Sequence, residues 1–145
     1  MLYSIRLIYY HAITHKILFA LTLAGLLFSG YLSAVKLFTN TCAFGETCPM
    51  VLGYPACWYG FGMYLVMLIV TVLGLVSTIP AATVTKTDAV VSFLGILFAG
   101  TLVIQEFVDD SLTGELGLST CAYGLVFYLL IFVVSLNALR KIPRN

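Results

Sequence analysis

Four long apolar runs divide this chain, at about 17–38, 58–79, 89–105 and 121–139, with connections too short to hold a domain of their own. Crossing the ~30 Å hydrocarbon core of a bilayer takes about 20 apolar residues as a helix. Inside that core every backbone N–H and C=O must be bonded within the segment, which leaves helices or a closed barrel. Runs of this length predict an all-α integral membrane protein, a single four-transmembrane-helix bundle. Composition agrees: 61% of residues are hydrophobic and 9% charged, whereas soluble domains carry roughly 25% charged residues. The net charge of +1 decides nothing and no basic patch suggests nucleic acid, so no nucleic-acid partner is expected and the lipid bilayer is.

The segments flanking the runs predict the membrane ends. Residues 1–16 mix Leu2, Ile5, Leu7, Ile8, Tyr9 and Tyr10 with Arg6, His11, His15 and Lys16, the pattern of a short interfacial helix. His11 and His15 share a helical spacing but have no acid or cysteine close by, so they read as interfacial histidines and no metal site is expected. No small-residue cleavage site follows the first run, so it is expected to remain as a span. Within that run Gly25, Ser29 and Ser33 recur every fourth residue, a face on which another helix packs closely. Pro80 is expected to stop the second span, a polar connection to cover 81–88 with Lys86, and Glu106 to close the third span before an acidic loop with Asp109, Asp110 and Glu115. Residues 140–145 form a basic tail. Arg6, Lys16, Lys86, Arg140, Lys141 and Arg144 all fall on one side of the alternation, so the positive-inside rule predicts cytoplasmic N and C termini. The expected location is the plasma (inner) membrane of a bacterium-like cell, with all four cysteines on the outer face, where disulfides persist.

The chain also resembles itself. Gly25, Leu27, Phe28, Gly30 and Leu32 recur 70 positions later as Gly95, Leu97, Phe98, Gly100 and Leu102. Cys57, Tyr59, Gly60, Tyr64 and Leu65 recur 64 positions later as Cys121, Tyr123, Gly124, Tyr128 and Leu129. An internal two-helix repeat with both copies pointing the same way is expected, related by an axis along the membrane normal. Cys57 and Cys121 become symmetry mates at the starts of spans two and four. Cys42 and Cys48 belong to the first outer connection, which is six residues longer than its counterpart (18 against 12).

These cysteines are the candidate catalytic residues. Thiol–disulfide exchange needs a thiolate, a disulfide to attack and an approach path, and Cys42, Cys48, Cys57 and Cys121 are all expected at one rim. Trp58, Tyr59, Phe61 and Tyr123 lie next to them in sequence and are candidates to stack on a quinone of the ubiquinone or menaquinone type. The competing reading is a non-catalytic membrane protein with two structural disulfides. Four cysteines allow three full pairings, and the sequence leaves them open.

The stretch Cys42-x5-Cys48, Val51-Leu52 and Gly53-Tyr54-Pro55-x4-Gly60, set in a four-span bundle, resembles the vitamin K epoxide reductase family and its bacterial homologues. That resemblance implies a membrane thiol–disulfide oxidoreductase. Cys42 and Cys48 would take electrons from a secreted or periplasmic thioredoxin-fold protein, and Cys121 would stand as the quinone-proximal cysteine. The chain departs from the family's pattern at Leu118, where the family has the first cysteine of Cys-x-x-Cys, and between Val51-Leu52 and Gly53, where a family segment is missing. Cys57 is expected to complete the pair from span two.

Overall fold

A computed structural model describes residues 2–39, 50–76, 78–113 and 120–141. Four helices, α1 (Leu2–Thr39), α2 (Ala56–Leu75), α3 (Ala81–Thr113) and α4 (Thr120–Lys141), follow one another, with a two-stranded hairpin, β1 (Met50–Val51) and β2 (Tyr54–Pro55), between the first two. Each helix contains a stretch long and apolar enough to cross a membrane: Ala12–Thr39, Ala56–Leu75, Ala81–Val108 and Cys121–Lys141. The helices form a ring in which α1 packs on α2 and α4, and α3 packs on α4 and α2. The two diagonals are therefore α1 with α3 and α2 with α4.

The outside of the ring is apolar. Leu27, Leu97, Ile69 and Val133 are among many large aliphatic side chains left exposed, as a lipid-facing surface requires. The inside holds small and hydroxyl-bearing residues around a few large ones: Tyr64, Met67, Leu18, Tyr128 and Ile131 are fully buried, and so are Thr22, Thr71, Asp88, Ser92 and Ser135. Most of the hydroxyls bond within their own helix. Thr22 donates to the Leu18 carbonyl and Ser29 to that of Gly25, each at 2.8 Å, and Thr71 donates to the Met67 carbonyl at 2.8 Å. Back-bonding to residue i−4 lets a polar side chain enter an apolar interior without an orphaned group.

The centre is a tyrosine pair. Tyr64 of α2 and Tyr128 of α4 stack across the diagonal with ring centroids 4.4 Å apart and planes 8° from parallel. Each ring fills space left by a missing side chain on the neighbouring helix. A Cβ on Gly25 would lie 2.4 Å from the Tyr64 ring, and one on Gly95 would lie 2.5 Å from the Tyr128 ring. Helices in lipid lack a hydrophobic drive to associate, so this close van der Waals fit is what holds α1 on α2 and α3 on α4. The face of Gly25 and Ser29 expected from the four-residue spacing is thus used, with Ser29 buried as well.

Several expectations are corrected. No separate interfacial helix covers 1–16: α1 runs unbroken from Leu2 to Thr39, because the chain has no glycine or proline before Gly25 to interrupt it. His15 is buried within the bundle. The polar connection over 81–88 is instead the first two turns of α3, and Asp88 is fully buried within the bundle. Pro80 does not end the second span, since α2 stops at Leu75. It precedes α3, where its carbonyl accepts from the Thr83 and Val84 amides at 2.9 and 3.3 Å, a position that loses nothing by lacking an N–H. Glu106 does not end the helix, as α3 continues to Thr113.

Candidate functional site

The hairpin that leads into α2 is made by the Val-Leu-Gly-Tyr-Pro stretch. Met50 pairs with Pro55 and Val51 with Tyr54, leaving Leu52 and Gly53 as a two-residue turn with φ of 51° and 85°. Two left-handed residues in succession give the twist that tight hairpins prefer. Glycine adopts this at no steric cost, but leucine does not. Leu52 sits at the tip with 88% of its surface exposed. Two contacts hold the hairpin on the helix: the Tyr59 hydroxyl donates to the Val51 carbonyl at 3.2 Å, and Trp58 stacks on Tyr54 at 5.8 Å. Pro55, extended at φ −64° and ψ 138°, then caps α2, so that Cys57 falls in its first turn.

Cys57 and Cys121 occupy corresponding turns at the same end of the bundle, both half-buried. The hydroxyl of Tyr64 donates to the Gly124 carbonyl at 2.9 Å, and that of Tyr128 donates to the Gly60 carbonyl at 3.2 Å. Gly60 lies three residues after Cys57, and Gly124 three residues after Cys121. Each tyrosine thus grips the turn of the opposite helix that carries the cysteine. The reciprocal bonds run diagonally between helices that otherwise barely touch, and they hold the two cysteine-bearing turns at one level. No disulfide joins Cys57 to Cys121. Cys42 and Cys48 lie outside the described residues.

The four aromatic candidates are not gathered into one cluster. Tyr59 meets Phe98 at the α2–α3 seam, centroids 5.7 Å apart, and Tyr123 meets Phe28 at the α1–α4 seam, 6.0 Å apart. These two contacts match residue for residue at the spacings of 64 and 70. Phe61 packs toward α1, 3.3 Å from where a Gly30 Cβ would stand, and Trp58 belongs to the hairpin. Two of the four, Tyr59 and Tyr123, therefore line aromatic seams on opposite sides of the bundle, each within a cysteine-bearing turn. Phe28, Phe98 and Tyr54 complete these contacts and were not singled out for a site from sequence. Phe28 and Phe98 stand in the repeated Gly-x-Leu-Phe pattern, which was the available signal.

No family model matches the chain, and no curated protein or solved structure matches it.

Proposed function

We propose that the chain is a membrane thiol–disulfide oxidoreductase that carries electrons from a secreted thioredoxin-fold protein to a quinone. The partner's two thiols become a disulfide as the Cys42–Cys48 disulfide is reduced. Exchange then moves the two electrons to a Cys57–Cys121 disulfide, restoring the first pair. Finally the reduced Cys57 and Cys121 re-form their disulfide while the quinone takes up two electrons and two protons to become a quinol. The observation that carries this reading is the pairing of the two cysteine-bearing turns at one end of the bundle through the Tyr64–Gly124 and Tyr128–Gly60 bonds.

The bundle itself is read as a duplicated two-helix unit. Gly25–Tyr64 with Gly95–Tyr128, Phe28–Tyr123 with Phe98–Tyr59, and the two hydroxyl–carbonyl bonds are three sets of contacts related by the same offsets. In this frame the aromatic seams beside Tyr59 and Tyr123 are the two places for a quinone ring. Orientation follows the lysines and arginines, with the cysteine end outside and both termini in the cytoplasm. The resemblance of the Cys42–Gly60 stretch to vitamin K epoxide reductases supports the same chemistry.

Thiol trapping tests the relay. In membranes whose quinone pool is oxidised, all four cysteines are expected to resist alkylation, and reduction of the pool is expected to leave them alkylatable. Cysteines that stay oxidised whatever the state of the pool are structural bridges and end the redox reading. A Cys48→Ala variant is expected to accumulate a mixed disulfide between Cys42 and the thioredoxin-fold partner.

A further inference from the structure

Asp88 is a buried acidic side chain that the redox reading leaves without a task. It is fully buried, two turns into α3, about 10 Å from the start of the helix at 1.5 Å per residue. One carboxyl oxygen, Oδ2, lies 3.1 Å from the Thr71 hydroxyl. That hydroxyl also lies 2.8 Å from the Met67 carbonyl, the same back-bond that Thr22, Ser29 and Ser92 make in their own helices. The Thr71 hydroxyl therefore faces two acceptors, the Met67 carbonyl and Asp88 Oδ2. The other oxygen, Oδ1, is buried with no hydrogen-bond partner, which a full negative charge in this interior would not tolerate.

The corresponding positions of the other half sharpen the point. At the same offsets Thr71 corresponds to Ser135, Met67 to Ile131, Ser92 to Thr22, and Asp88 to Leu18, and all eight are fully buried. One half of the bundle fills this position with leucine, so packing does not require an acid there. The ionisable groups on the elements around Asp88 at this end are few. On α1 these are buried His15, its Cε1 3.6 Å from where a Gly74 Cβ would stand, and exposed Lys16. The last three turns of α2 contain none. Lys86 on α3 and Arg140 and Lys141 on α4 are exposed. Among these groups the structure records no ion pair to the carboxyl.

We propose that Asp88 is an intramembrane proton-binding site: Oδ2 accepts from Thr71, and the enclosed, unpartnered Oδ1 carries a proton at neutral pH. The site does not depend on the cysteine chemistry. Infrared spectroscopy of the protein in lipid nanodiscs tests it, using Asp88→Asn and Asp88→Leu. The wild type is expected to display the carbonyl stretch of a protonated carboxylic acid at neutral pH, shifted in D2O and absent from both variants. Asp88→Leu is expected to unfold at the same temperature as wild type or higher, as its partner position already carries leucine. A difference spectrum with carboxylate bands alone, or an acid band that never responds to D2O, would overturn the assignment. So would an Asp88→Leu protein that is less stable than wild type, since the acid would then be a packing requirement.

Discussion

Replacing Gly95 by alanine puts a methyl group where the Tyr128 ring already stands. The new Cβ would meet Cδ1 and Cε1 at 2.5 Å and Cζ at 2.7 Å, against an ordinary carbon–carbon contact of about 3.5–4.0 Å. The ring must retreat by about 1 Å, and it has nowhere free to go. Its far face lies on Tyr64 at 4.4 Å and its hydroxyl is tied to Gly60 at 3.2 Å. Overpacking of this kind costs about 1–3 kcal/mol, and disturbing the aromatic pair adds about 0.5–1.5 kcal/mol. Alanine's better helix propensity returns up to about 1 kcal/mol, leaving a net loss near 2 kcal/mol. Gly25→Ala against Tyr64, with contacts of 2.4–2.8 Å, is expected to cost the same within about 1 kcal/mol. Gly100→Ala is the control, because its Cβ would meet nothing within 4 Å, and it should be neutral or stabilising. Unfolding in mixed micelles by SDS titration, followed by circular dichroism, reads all three. A Gly95→Ala protein as stable as Gly100→Ala would refute the close-packed centre. A large difference between Gly25→Ala and Gly95→Ala would refute the equivalence of the halves.

Tyr64→Phe and Tyr128→Phe keep the ring stack and remove one hydrogen bond each, at 2.9 and 3.2 Å; each should lower stability by about 1 kcal/mol in the same titration, and no change in either would mean the diagonal bonds do not form. Leu52→Gly relieves a left-handed leucine and should slow amide hydrogen exchange in the hairpin by a factor corresponding to up to about 1 kcal/mol; faster exchange would contradict the turn geometry. Gly74→Ala would push a methyl to 2.4 Å from Val84 Cγ2 and should destabilise by about 1–3 kcal/mol, a loss that Val84→Ala in the same chain should largely reverse.

The helix ends were the hardest features to read in advance, and Asp88 explains why. A window of average hydropathy treats a charged residue near the edge of an apolar run as a sign that the run has ended. Asp88 instead finds Thr71 across the α2–α3 contact at 3.1 Å, and that partner is invisible to a local average. His15 is buried as well, its Cε1 3.6 Å from where a Gly74 Cβ on α2 would stand. The aromatic residues near the cysteines were expected to act together, yet neighbours in sequence on a helix point in different directions. Tyr59 faces α3 while Phe61 faces α1.

The four helices long and apolar enough to cross a membrane and the close-packing face at Gly25 were legible in the chain. A bilayer demands apolar runs of set length, and a glycine recurring opposite a tyrosine leaves its mark in the spacing. Only the assembled bundle decided that α2 and α4 face each other across the centre, that the two tyrosines stack there, and that an aspartate is enclosed by the helices around it. Those outcomes depend on which helices become neighbours, and that is settled by the fit of whole surfaces rather than by any one segment.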